Sequence, residues 1–123
     1  MNTLLNIDLP IIQAPMAGVQ ASALAVAVSN AGGLGSLPAA MLTLDSLRSE
    51  LQAISAQTTR PYNINFFCHT PPVPDAQRDT TWHAALSPYY DAFGLDMGAI
   101  AAGPGRAPFS AEVADVVEPI RRP

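Results

Sequence analysis

The sequence predicts an α/β fold with parallel strands, and two observations carry that prediction. Short apolar runs bounded by proline or glycine occur at residues 11–14, 34–37 and 62–67, and each is followed by a stretch of helical composition or periodicity. A strand–helix order repeated in this way joins each strand to the next by a crossover, which makes neighbouring strands parallel. Such an order fits an open doubly wound sheet or the start of a closed barrel, and periodicity alone does not choose between them.

In the run Leu9-Pro10-Ile11-Ile12-Gln13-Ala14-Pro15 the prolines bracket a brief apolar stretch, which suits a strand buried on both faces at residues 11–14. Residues 21–31 are mostly Ala, Val and Leu, good helix material, and Gly32-Gly33 supplies the stop. A second strand at 34–37 is closed by Pro38. Leu44, Leu47, Leu51 and Ile54 then recur at helical spacing and define one apolar face of a helix over 43–56. Thr43 is its expected cap, and Asp45 lies in the first turn, where negative charge meets the positive end of the helix dipole. The run Tyr62-Asn63-Ile64-Asn65-Phe66-Phe67 alternates and is rich in aromatic and β-branched residues, a third strand ended by Pro71, Pro72 and Pro74. A helix follows at 79–93 around Trp82, Leu86, Tyr89, Tyr90 and Phe93, with Pro88 expected to kink it or confine it to two short turns. Residues 94–108 read as a loop, and helical periodicity resumes over 110–120 behind the capping Ser110.

The 123 residues fit one domain at most. They are 49% hydrophobic and 13% charged, with a mean hydropathy of +0.19, which is apolar for a small protein that must cover itself with polar surface. Six basic against ten acidic side chains, a net charge of −4 and the absence of any Lys/Arg run argue against nucleic acid as a partner. The apolar stretch at 24–37 is broken by Ser29, Asn30 and several glycines and falls short of the about 20 residues a membrane span needs. With no basic N-terminal region either, the expected location is cytoplasmic. Cys68 is the single cysteine, which excludes an internal disulfide framework and a Cys-rich zinc site; it reads as a small buried hydrophobe at a strand end. His69 and His83 are too few and too far apart to complete a metal cluster with it.

Chemistry is expected at the C-terminal ends of the strands, where barrels and open α/β sheets both build their sites. Three motifs lie there: Gln13-Ala14-Pro15-Met16-Ala17-Gly18, Gly32-Gly33-Leu34-Gly35-Ser36 and Asn63-Ile64-Asn65-Phe66. The glycines of the second follow a helix and enter a strand, the reverse of a dinucleotide-binding fingerprint, so they read as a tight turn. Asn65 carries a neutral amide that donates and accepts together, suited to a flavin or small anion and equally to a strand-end turn. Met16 has a polarizable thioether that could lie against an aromatic cofactor, or simply fill core space.

Together, Pro10 through Gly18, Ala27 through Ser36, and Pro61-Tyr62-Asn63-Ile64-Asn65-Phe66-Phe67-Cys68-His69 resemble the nitronate monooxygenases, formerly 2-nitropropane dioxygenases. The first two runs are shared with FMN-dependent enoyl-acyl-carrier-protein reductase relatives, whereas the third looks more like the nitronate enzymes. The resemblance implies a (β/α)8 TIM barrel with FMN at its C-terminal rim, and oxidation of an alkyl nitronate by O2 to a carbonyl compound and nitrite. It also implies that the backbone of Ala14, Pro15 and Met16 lies beside the flavin ring and that Asn65 hydrogen-bonds it, with Asn63 the alternative.

A full barrel takes roughly 250 residues. Residues 1–123 are therefore expected to supply the N-terminal part of an FMN-binding TIM-barrel domain, about three β/α units of eight. The resemblance puts the catalytic His in a Gly- and His-rich segment after a later strand, so no catalytic residue is expected within this chain, and His69 belongs to a different motif. Three strands leave two unpaired edges beside an apolar interior, a liability for aggregation. The isolated chain is accordingly expected to have little or no activity, and the alternative to an enzyme is a non-catalytic fragment that binds nothing.

Overall fold

A computed structural model describes residues 2–100 and 107–120. It divides into two compact units, one of residues 2–69 with 107–120 and one of residues 70–100 within the described range.

The first unit opens with a short helix, α1 (Asn2–Leu5), that the sequence did not signal. Helix α2 (Ser22–Asn30) leads into strand β1 (Gly35–Pro38), and helix α3 (Leu44–Gln57) crosses over to strand β2 (Tyr62–Asn65). The two strands are parallel, with Gly35 opposite Tyr62, Ser36 opposite Asn63, Leu37 opposite Ile64 and Pro38 opposite Asn65. The predicted first strand is present as a parallel bridge between Ile12 and Leu34 on the other side of β1. Two main-chain bonds form it, Leu34 N–H to the Ile11 carbonyl and Gln13 N–H to the Leu34 carbonyl, each 2.9 Å.

Strand β1 is buried along its whole length. Packing of α2 against it is so close that a Cβ built on Gly35 would overlap the Ala25 carbonyl, which is why only glycine enters this strand. Just before it, Gly32 adopts φ 96°, and its carbonyl accepts from both Asp8 N–H and Leu9 N–H at 2.9 Å. Ser29 is fully buried between α2 and the strands: its hydroxyl donates to the Pro61 carbonyl at 2.9 Å and accepts from Gly35 N–H at 3.2 Å.

Helix α3 presents Leu47, Leu51 and Ile54 to the core beside Ala25, Val26, Leu37 and Ala39, as the spacing predicts. Burying each of these long side chains contributes about 1.5–3 kcal/mol. Thr43 caps the helix by accepting from Ser46 N–H at 3.2 Å, and Asp45 occupies its first turn. Helix α2, whose N-cap position is Ala21, has no local cap; a carboxylate oxygen of Glu50 on α3 accepts from Ser22 N–H at 2.8 Å instead. Helix α5 (Ala111–Val117), capped by Ser110 and continued by a 3₁₀ turn at Glu118–Ile120, adds Val113, Val116, Val117 and Ile120 to the margin of the core. Phe66 and Phe109 meet edge to face with centroids 5.1 Å apart.

In the second unit, α4 (Ala76–Phe93) is one continuous helix through Pro88 rather than two short turns. It also begins earlier than predicted, because the Asp75 carboxylate accepts from Arg78 N–H at 3.0 Å, and it ends on Gly94 in the left-handed conformation. Strong signals at both ends sustain eighteen helical residues despite the one donor that proline removes. Within the predicted loop a 3₁₀ turn forms at Met97–Ala99, and residues 101–106 of that loop lie outside the described residues. No helix among the described residues is long and apolar enough to cross a membrane.

Replacing Gly35 by Ala is expected to cost about 3 kcal/mol in chemical denaturation, because α2 must move off β1 to admit the methyl group. Ser29→Ala should cost about 1–3 kcal/mol, since it strands the buried Gly35 N–H.

Candidate functional site

Parallel register brings the C-terminal ends of the first strand segment, β1 and β2 to one edge, and every sequence-predicted site residue lies there. At its base is Ser36, whose residue exposure is zero. The main-chain ladder of the first strand stops at Leu34, and the side chain of Gln13 takes it over. Its Oε1 accepts from Ser36 N–H at 3.2 Å and its Nε2 donates to the Ser36 carbonyl at 3.2 Å. The same carbonyl accepts a second bond, 3.1 Å, from Nε2 of Gln20, and the Ser36 hydroxyl accepts from Nδ2 of Asn63 at 3.3 Å. A buried strand residue is thus satisfied by three carboxamides from three separate segments.

Above this polar base, Ala14, Pro15 and Met16 are exposed, Met16 to 46%. The Ala14 carbonyl accepts from Gln20 Nε2 at 3.4 Å, and the Met16 carbonyl accepts from Val19 N–H at 3.4 Å, closing the turn that holds Gly18 at φ 82°. Between this turn and the segment after β1 lies a groove lined by Gly18, Val19, Gln20, Pro38, Met41 and Leu42.

Asn63 and Asn65 sit two apart on β2, so both project from the same face, but their partners across the sheet differ. Asn63 faces Ser36 and spends its amide on that hydroxyl. Asn65 faces Pro38, which offers neither an N–H nor a polar side chain. The half-buried Asn65 carboxamide consequently has no hydrogen-bond partner among the described residues, while its backbone carbonyl holds Ala39 N–H at 3.0 Å. Where the sequence left two asparagines in play, the register ties one of them to β1 by its side chain and leaves the other's carboxamide unpaired among the described residues.

Cys68, expected to be buried, is exposed, three residues past the end of β2 at Asn65. His69 lies edge on to Phe67 with centroids 6.2 Å apart. No group of three or more potential metal ligands occurs among the described residues. Sequence reasoning treated Gln13 only as part of a motif and did not single out Gln20; their roles depend on Ser36, 23 and 16 positions away, which no local pattern reveals.

Comparison with known proteins gives a consistent result. The profile of the family "Nitronate monooxygenase" matches residues 1–92. Over 91 residues the chain is 50% identical to a nitronate monooxygenase of Paraburkholderia phytofirmans, an alignment covering 74% of this chain and 25% of that protein. The chain therefore spans about a quarter of the length of the curated relatives it matches. Its backbone resembles that of nitroalkane oxidase from Streptomyces ansochromogenes with a TM-score of 0.65 at 29% identity, over 96% of this chain and 32% of the other. FabK from Thermotoga maritima gives a TM-score of 0.53 at 34% identity, over 57% of this chain and 22% of that one. Of the two architectures the strand order allowed, the fold is the N-terminal portion of a (β/α)8 barrel, with the rim described above at the C-terminal ends of its strands.

Gln13→Leu leaves the Ser36 N–H buried and unpaired, although the Ser36 carbonyl keeps Gln20. A loss of about 1–3 kcal/mol in denaturant stability is expected. Ser36→Ala keeps all the backbone bonds and gives up only the 3.3 Å link to Asn63, so its loss in the same measurement should be smaller.

Proposed function

The chain belongs to the nitronate monooxygenase family, a family of oxidoreductases, and from that premise we propose that its rim forms one side of an FMN site. The enzyme so formed oxidises alkyl nitronates with O2 to a carbonyl compound and nitrite. The observation that carries the reading is the half-buried Asn65 carboxamide, free of any partner among the described residues and at the same strand-end edge as the exposed Ala14-Pro15-Met16 backbone.

A neutral amide with one free acceptor and two free donors matches the alternating donors and acceptors along the heteroatom edge of an isoalloxazine. Asn65 would hold that edge. Ala14 and Pro15 would line the ring with uncharged backbone, and the Met16 thioether would lie against its π-surface. When bound, FMN supplies the electron transfer to O2, which no protein side chain provides. The three carboxamides gathered on Ser36 tie this rim to β1 through neutral groups.

The reading is tested by exchanging residues 1–92 into the Paraburkholderia phytofirmans relative. The exchanged enzyme is expected to retain FMN, consume O2 with an alkyl nitronate and release nitrite. Asn65→Ala should raise its FMN Kd about tenfold with little change in melting temperature, and Asn63→Ala should do the reverse, costing stability and sparing affinity. A folded exchange that takes up no flavin, or an Asn65→Ala variant that binds it as the parent does, would overturn the assignment. NAD(P)H-driven reduction of an acyl-carrier substrate in place of nitronate oxidation would move the chain toward the reductase relatives.

A further inference from the structure

The turn at residues 14–19 would carry the flavin-facing backbone, yet among the described residues its main chain makes only one internal bond, the 3.4 Å contact of Val19 N–H with Met16 O. What ties this turn to the sheet is Gln20. Its Nε2 reaches the Ser36 carbonyl of buried β1 at 3.1 Å and the Ala14 carbonyl at 3.4 Å, so one amide group bridges the fixed strand and the exposed loop. The other end of the same carboxamide is unusual: Oε1 is buried and has no hydrogen-bond partner among the described residues. A buried acceptor left unpaired costs free energy. The side chain is nevertheless held in this orientation, because turning the amide over would set Oε1 against two carbonyl oxygens.

We propose that Gln20 is a positioning residue for the cofactor site: it fixes the Ala14-Pro15-Met16 backbone relative to β1, and through it the surface offered to the flavin. The inference rests on the FMN reading above. Gln13 already satisfies both Ser36 backbone groups, so the bond from Gln20 to the Ser36 carbonyl is redundant for β1. Its bond to Ala14 has no such duplicate. The function of the bridge is therefore at the turn rather than in the sheet.

Two near-isosteric variants test this in the exchanged enzyme described above, with amide hydrogen exchange and FMN affinity as readouts. Gln20→Met keeps the volume and removes both donors. Gln20→Glu keeps the shape but sets a carboxylate against two carbonyls, and protonation returns a single donor. Both variants are expected to speed exchange of the Val19 amide about fivefold while leaving the Gln13 and Ala39 amides unchanged, and to weaken FMN binding by a similar factor. For Gln20→Glu both effects should recede as the pH falls through the carboxyl range, against a parent measured in parallel. That comparison is made within one folded polypeptide and survives even if Gln20→Met fails to fold.

Parental exchange at Val19 in the variants overturns the proposal, as does a rise spread evenly over β1 and β2, which marks a general loss of stability. A loosened turn with unchanged FMN affinity also overturns it. If the exchanged parent binds no FMN, the cofactor reading fails, and exchange at Val19 alone decides whether Gln20 holds the turn.

Discussion

The contact between the α2 backbone and strand β1 is the constraint from which the rest of the first unit follows. Gly35 allows the Ala25 carbonyl to approach where no Cβ fits, and β1 is sealed on both faces. A strand buried so completely cannot leave main-chain groups unpaired, since each would cost about 1–3 kcal/mol. On one side β2 pairs with it. On the other, the first strand runs alongside for only a single bridge, and the remaining groups at Ser36 are satisfied by Gln13 and Gln20. Close packing at one residue thus creates the demand that the Gln13 carboxamide meets at the next.

This arrangement separates the work of holding the fold from the work of presenting a site. Apolar contacts lie on the α3 side, where Leu47, Leu51 and Ile54 close over Leu37. The polar hub on Ser36 sits toward the strand ends, one layer below the exposed Ala14-Pro15-Met16 backbone. Loops that carry function are ordinarily the mobile parts of a domain. Here the loop that would carry it begins directly after a residue clamped to a buried strand, so it inherits the strand's position.

Local signals account well for the parts of the fold that local physics decides. Four leucine and isoleucine positions at helical spacing and the Thr43 cap define α3, proline closes β1, and alternation marks β2. What the sequence could not disclose rests on distant partners. Helix α2 is capped by Glu50, 28 residues downstream. The first strand pairs with β1 through two main-chain bonds and the two bonds of the Gln13 carboxamide, so its residues have the composition of a strand with only the start of its ladder. Cys68 has the residue type of a buried hydrophobe, but its exposure is set by where β2 stops. Pro88 alone predicts a kink or two short turns, whereas Asp75 and Gly94 anchor α4 at both ends.

The two asparagines of β2 illustrate how much a register adds to a motif. Chemically they are identical, and they project from the same face two residues apart. One stands opposite a serine and becomes part of the scaffold; the other stands opposite a proline and keeps its amide free. Exchanging the partners would exchange the roles. Pro38 therefore has an effect its own chemistry does not suggest: by offering no hydrogen bond across the pair, it leaves the Asn65 carboxamide unpaired among the described residues. The two members of an Asn-x-Asn run acquire different partners only through the neighbouring strand, and the sequence of that strand is where the distinction is written.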